Sequence, residues 1–188
     1  ETMGELDFTG QTVLVVGGSS GIGNGIAHGF RERGAEVHVW GTRATAADYA
    51  ATEGSDLMGL AYAQVDVADR DAIAANAPDF ERLDVLVLCQ GTVVYRRGEF
   101  ERAGWDQVMA VNLDSLMACA AKFHDMLAAA KGSIIIVSSV SGFQANRGNP
   151  AYAASKAGAV SLTKTLGQAW AGDGIRVDSA LEDGLDVS

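Results

Sequence analysis

Tyr152, Lys156 and Ser139 are the residues of this 188-residue chain whose types and spacing point most directly to chemistry. In Tyr152-Ala-Ala-Ser-Lys156 the phenol and the ammonium stand four residues apart. If residues 150–171 are helical, that spacing puts both on one face, one turn from each other. Ser139 closes the apolar run Ser133-Ile-Ile-Ile-Val-Ser-Ser139, and a strand ending there would present its hydroxyl to such a helix. A phenol has a reference pKa of about 10, which makes it a poor base and a slow proton donor at neutral pH. A neighbouring ammonium favours the phenolate and is expected to draw that pKa toward the working range. The serine hydroxyl would donate a hydrogen bond to a carbonyl or alkoxide oxygen. Such a trio is a proton-transfer site that needs a hydride carrier. Tyr and Lys at this spacing also occur on ordinary amphipathic helices, so the rest of the chain must decide.

The elements that would position a carrier lie at the other end. Thr12-Val-Leu-Val-Val16 is apolar and β-branched without alternation, as in a strand buried on both faces of a parallel sheet. It runs into Gly17-Gly-Ser-Ser-Gly21-Ile-Gly23, then a helical pattern to Arg33 stopped by Gly34. A strand, a glycine turn and a helix form the layout of a dinucleotide site, in which backbone amides approach a pyrophosphate at the helix N-terminus. Gly17, Ser19, Ser20, Gly21, Ile22 and Gly23 are the candidate contacts. An oxidised nicotinamide ring bound there would add a second positive charge beside the phenol.

After a second strand, Glu36–Trp40, the position that holds an NAD ribose with a carboxylate carries Gly41-Thr42-Arg43 instead. Nothing there repels a 2′-phosphate, and Thr42 and Arg43 could bond one, which favours NADP(H), with NAD(H) as second choice; an Arg43 pointing into solvent is the alternative. A third strand over 58–65 ends at Asp66-Val67, where Asp66 either meets an adenine amino group or bonds local amides. Asp69 is placed to cap a short helix through Ala77. A fourth strand, Asp84–Cys89, leads to Gln90-Gly91. Residues 103–130 have the pattern of one long helix, in whose middle Asn112 is a poor helix former. A kink there that holds water near the site competes with simple solvent exposure. The fifth strand ends at Ser139, the loop 140–149 could line a substrate cleft, and a sixth strand is expected over Gly174–Asp178. Strands alternating with helices predict an α/β fold: a doubly wound parallel sheet, or Rossmann fold, in a single domain with right-handed crossovers.

Composition narrows the partners. Apolar residues make up 48%, and the formal net charge of −10 offers no basic stripe for a nucleic acid. No 18-residue apolar run is present, so no membrane span is expected. Cys89 and Cys119 lack the spacing of a zinc site or a disulfide framework, so no metal is expected and both are expected to pack as small hydrophobes. With an acidic N-terminus this predicts a cytoplasmic, reduced setting.

Taken together, the motifs resemble the short-chain dehydrogenase/reductase family from about Gly10 to Val177. The likeness rests on Gly17–Gly23, Asp66-Val67, Gly91, Val111-Asn112, Ser138-Ser139, Tyr152–Gly158 and Gly174-Ile-Arg-Val177. It implies a carbonyl reductase or alcohol dehydrogenase with a catalytic tetrad of Asn112, Ser139, Tyr152 and Lys156. In it Tyr152 gives the proton, Ser139 holds the substrate oxygen, Lys156 bonds the nicotinamide ribose and tunes Tyr152, and Asn112 keeps a water in the relay. It also implies Val67 and Gly91 as cofactor contacts, a small carbonyl or alcohol substrate, most like 3-oxoacyl thioesters or sugar acids, and a homodimer or homotetramer formed through the long helices. Three departures stand out. Val16 replaces the family's usual Thr, Leu88-Cys89-Gln90-Gly91 replaces its usual Asn-rich turn, and after about Ala180 the expected pattern gives way to a short ending in which Glu182–Leu185 resembles a tail following a seventh strand. The last of these implies a truncated chain or a missing substrate loop, and with it a competing reading as a nucleotide-binding protein without turnover. Tyr95, Arg96, Arg97, Phe143 and Asn146 are loop residues that could touch a substrate.

Overall fold

The computed structural model describes residues 6–182. Six parallel strands form one sheet: β1 (Thr12–Val16), β2 (Glu36–Gly41), β3 (Ala61–Gln64), β4 (Val85–Leu88), β5 (Ser133–Ser139) and β6 (Arg176–Glu182), in the order β3-β2-β1-β4-β5-β6. This is the doubly wound arrangement expected. The order reverses between β1 and β4, and in such sheets the carboxyl ends of the strands at that point open a crevice for a ligand. The turn after β1 and the turn after β4 both end there, and they touch. A Cβ added to Gly17 would lie 2.8 Å from the Gln90 amide nitrogen, and Gly17 has φ +77°, so glycine is required on both counts.

Alternate residues of each strand enter different layers, because side chains point to opposite faces at every step. Leu14, Val16, Leu86, Leu88, Ile134 and Ile136 pack with Leu116, Cys119 and Phe123 of α4 (Ser115–Ala130), Ile73 of α2 (Arg70–Ala75) and Leu166 of α5 (Pro150–Ala169). Val13, Val15, Val37, Val39, Val85 and Val87 pack with Ala27 of α1 (Gly21–Arg31) on the other face. Cys119 is buried in the first layer and Cys89 packs partly buried against the second. Asp69 caps α2, accepting from the amides of Asp71 and Ala72.

Two elements differ from the sequence expectation. The single helix over 103–130 is divided into α3 (Arg102–Met109), a wide π turn at Ala110–Asp114, and α4. Asn112 sits in that turn, 2% exposed: its Oδ1 accepts from the Thr92 amide at 2.8 Å and its Nδ2 donates to the Thr92 carbonyl at 2.9 Å. The mid-helix Asn is therefore not solvent-exposed; it lies at a kink, where inserting one residue into the helix turns its side-chain amide onto a neighbouring loop. The sixth strand starts two residues later than expected and runs on to Glu182, paired with β5 so that Glu182 lies opposite Ser139. Glu182 thus ends β6 rather than following a seventh strand, and residues 183–185 of the supposed tail lie outside the described residues.

Candidate active site

A cavity of about 570 Å³ opens at the β1/β4 crevice, a size suited to a small-molecule ligand. Gly17, Ser19, Ser20, Ile22, Gly23, Thr42, Asp66, Val67, Gly91, Tyr152 and Lys156 line it, while Gly21, Arg43, Asn112 and Ser139 are not among its walls. The glycine turn forms a tight cradle: a Cβ on Gly23 would lie 2.2 Å from the Gly17 carbonyl oxygen. Buried Gln90 donates from Nε2 to Ser115 Oγ at 2.8 Å, and its Oε1 has no partner among the described residues. An orphaned acceptor on the cavity wall is costly unless a ligand or water meets it. The cradle, the elongated set of walls and that orphan fit a dinucleotide.

At one end of the cavity the expected trio converges. Pro150 opens α5, whose first turn carries Tyr152 and whose second carries Lys156. The Lys156 ammonium, 4% exposed, donates to the Val137 carbonyl at 3.1 Å and lies 5.5 Å from the centre of the Tyr152 ring. Ser138 Oγ donates to the Lys156 carbonyl at 3.0 Å, which pins α5 to the end of β5. Ser139, 1% exposed, accepts from the Ser141 amide, and its hydroxyl is near enough to the phenol to favour the phenol's ionisation.

The expected lowering of the phenol's pKa is not found. Burial pushes Tyr152 above the ordinary phenol range, a hydrogen bond to Glu182 pushes it further, and the Ser139 hydroxyl pulls weakly the other way. The Tyr152 hydroxyl donates to Glu182 Oε1 at 2.5 Å, and that same oxygen lies 3.5 Å from Lys156 Nζ. The lysine charge is thus answered by a carboxylate before it can act on the phenol. Cys89 responds to the same neighbourhood: burial raises its thiol to about 11, with Lys156 lowering and Glu182 raising it.

At the other end, Asp66 accepts from the Ala68 amide at 3.0 Å while still lining the cavity, so the local bond and an adenine contact do not compete. Arg43 does not line the cavity; it is exposed, as the alternative reading expected, but held by local contacts. Its guanidinium lies 4.4 Å over the Tyr49 ring and donates to Thr52 Oγ1 at 2.6 Å and to the Asp48 carbonyl. Tyr49 in turn accepts from the amides of Thr42 and Arg43. Burial opposes its ionisation, but hydrogen bonds from Ser19, Arg43 and Thr42 outweigh this and bring the phenol down to about 8. A Cβ at Gly41 would stand 2.6 Å from the Tyr49 oxygen and 2.7 Å from Ser19 Oγ, so the position of an NAD-type carboxylate is already filled.

Four residues were missed by sequence reasoning: Glu182, Glu99, Tyr49 and Gln90. Glu99 is 1% exposed; its Oε1 accepts from the Val94 amide and Asn149 Nδ2, both at 3.1 Å, and its Oε2 accepts from the Tyr152 amide at 2.9 Å. It therefore caps α5 from 53 residues away, a role no local pattern reveals. Among the loop candidates, Tyr95 and Phe143 are largely exposed, Arg97 stacks on Phe100, and Asn146 accepts from the Gly148 amide; none lines the cavity.

Comparison with known proteins decides the family. The family model described as short chain dehydrogenase matches residues 11–182. The chain belongs to the short-chain dehydrogenase/reductase family. It is 35% identical to the 3-oxoacyl-[acyl-carrier-protein] reductase FabG of Chlamydia trachomatis, over 89% of this chain and 71% of that protein. It is also 35% identical to the 2-dehydro-3-deoxy-D-gluconate 5-dehydrogenase of Pseudoalteromonas atlantica, over 97% of this chain and 75% of that one. A solved structure from Agrobacterium tumefaciens, described as a 2-deoxy-d-gluconate 3-dehydrogenase with bound NADP, superposes with a TM-score of 0.77 at 32% identity, covering 92% of this chain and 71% of its own. The protein is accordingly an NAD(P)-dependent oxidoreductase that interconverts carbonyls and alcohols.

Proposed function

We propose that the chain is a single NADP(H)-preferring reductase domain in which Tyr152 is the acid/base and Ser139, Lys156 and Asn112 complete the site. Gly17–Gly23 would hold the pyrophosphate, Asp66 and Val67 the adenine end, and Gly91 and Lys156 the nicotinamide ribose. Bound there, the dinucleotide supplies or accepts the hydride. Tyr152 gives its proton to the reduced carbonyl oxygen, and Ser139 holds that oxygen by a hydrogen bond. Asn112 acts through Thr92, fixing the edge of the cavity beside Gly91. The NADP preference rests on Gly41, which sets no carboxylate beside a 2′-phosphate, with Thr42 on the wall and Arg43 adding positive charge at the rim.

The substrate class is that of the relatives' names, a 3-oxoacyl thioester or a sugar acid. Trp105 of α3 and Met117 of α4 are large apolar side chains left partly exposed, which supports pairing of subunits through these helices. We place the protein in the cytoplasm; among the described residues no helix is long and apolar enough to cross a membrane.

The observation that carries this reading is that the phenol and the ammonium line one end of a cavity whose opposite wall is the glycine turn, with the serine hydroxyl buried directly behind them. NADPH oxidation with a panel of 3-oxoacyl thioesters and keto sugar acids, run beside Tyr152→Phe, tests it. Loss of general acid catalysis costs about 10²–10⁴-fold; turnover that survives the substitution would refute the assignment of Tyr152.

A further inference from the structure

Of the side chains packed directly against the phenol, Glu182 is the most exposed to water. Tyr152 is 3% exposed, Ser139 1% and the Lys156 side chain 5%, whereas the Glu182 side chain is 22% exposed. Its place follows from the sheet: the β5–β6 register sets Glu182 opposite Ser139, so a carboxylate on that residue meets whatever Ser139 faces. It does so by accepting the Tyr152 hydroxyl proton at 2.5 Å, with Lys156 Nζ at 3.5 Å from the same oxygen.

Resting on the oxidoreductase reading of this site, we propose that Glu182 is its proton carrier: it anchors the Tyr152 hydroxyl and returns a proton to it from solvent after each carbonyl is reduced. Where a bound reduced nicotinamide would supply hydride, and with it two electrons, to the carbonyl carbon, the Tyr152 O–H bond breaks and its proton forms the alcohol O–H. The Glu182 carboxylate then takes a proton from solvent and passes it to the phenolate, which restores the phenol and the carboxylate that holds it. In alcohol oxidation the same path runs outward.

The charged and titratable groups around the phenol are Lys156 on its own helix, Glu182 from β6, Tyr95 from the loop after β4, and Glu99, which holds the Tyr152 amide; Cys89 lies in the field of Lys156 and Glu182. Of these, Glu182 is the anion in direct contact with the oxygen. Its charge disfavours a second anion beside it, in keeping with the upward direction of the Tyr152 pKa, to which Tyr95 adds.

Ultraviolet difference titration of tyrosinate in the protein alone, with Tyr152→Phe subtracted to isolate one of the four tyrosines, tests the contact. In Glu182→Gln the Tyr152 ionisation should move down by about one pH unit or more; Glu182→Asp, which keeps the charge, should move it less. Ketone reduction by Glu182→Ala should slow and recover in proportion to added formate, a small carboxylate able to carry the proton. Superimposable titrations of wild type and Glu182→Gln, or no recovery with formate, would overturn the proposal. A wild type that reduces no ketone overturns the oxidoreductase reading instead, and the titration still judges the grip of Glu182 on the phenol.

Discussion

Replacing Glu99 by alanine removes a buried carboxylate and leaves three donors without their acceptor: the buried Tyr152 amide and Asn149 side chain and the part-buried Val94 amide. Each orphaned donor costs about 1–3 kcal/mol. The three losses are not additive, because the Val94 and Asn149 donors share one oxygen and the emptied volume admits some relaxation, so about 3–5 kcal/mol is expected for Glu99→Ala. At about 2–4 °C per kcal/mol for a domain of this size, Tm should fall by roughly 6–20 °C. Glu99→Gln keeps the volume and one acceptor but points an N–H₂ at a donor and removes a negative charge from the N-terminus of α5. Its cost should be about 2–3 kcal/mol. Urea and thermal denaturation measure both. Activity should also fall about tenfold or more at a temperature where the variants stay folded, with KM for NADPH little changed, because the Tyr152 amide is one of the three donors and displacement of the phenol acts on the chemical step. A Glu99→Ala loss below about 1 kcal/mol would refute the account of α5 as a helix capped from a distance.

Two further outcomes are expected. Gly41→Asp should weaken NADPH at least about tenfold relative to NADH, roughly 1.4 kcal/mol, since it sets a carboxylate against the 2′-phosphate and against Tyr49 and Ser19; thermal shift with each cofactor measures the ratio, and an unchanged ratio would remove Gly41 from the basis of the NADP preference. His124 of α4 bonds Asp125 at 2.9 Å and Asp173 at 3.1 Å, which holds its pKa above the ordinary value of 6.5. A raised folded pKa contributes stability that is present below the unfolded value and lost as pH rises through the folded one, so denaturation midpoints should decline across that window in wild type and lose this component in His124→Gln.

The fold was legible because each layer leaves a local trace. Val13–Val16 and Val85–Leu88 are apolar without alternation because helices cover both faces, and Gly34 and Asp69 mark helix ends by their own conformational and hydrogen-bonding habits. The closeness of Tyr152, Lys156 and Ser139 was legible for the same reason: Tyr152 and Lys156 are joined by helical spacing, and Ser139 is fixed to a strand end. What could not be read is whatever a chain acquires only through pairing at long range. Glu99 looks like one more acid in Gly98–Arg102, and Tyr49 like one more aromatic in a short turn, until the sheet order brings the loop after β4 onto α5 and the turn after β2 against Ser19.

The same distinction explains the error over the phenol. From sequence, the nearest charge to Tyr152 is Lys156, four residues away, and a reading confined to that helix must conclude that the phenolate is favoured. The parallel pairing of β5 with β6 sets Glu182, 30 residues on, 2.5 Å from the same oxygen, and both the lysine and the phenol turn to it. A carboxylate touching the hydroxyl outweighs an ammonium that faces the ring and a backbone carbonyl, so the sign of the perturbation reverses. With the proton held on the phenol, Tyr152 rests in the protonated form that carbonyl reduction requires, but the raised pKa also makes it a weaker acid than a free phenol. Alcohol oxidation requires the phenolate, so the pH at which oxidation rises should move down when Glu182 loses its charge.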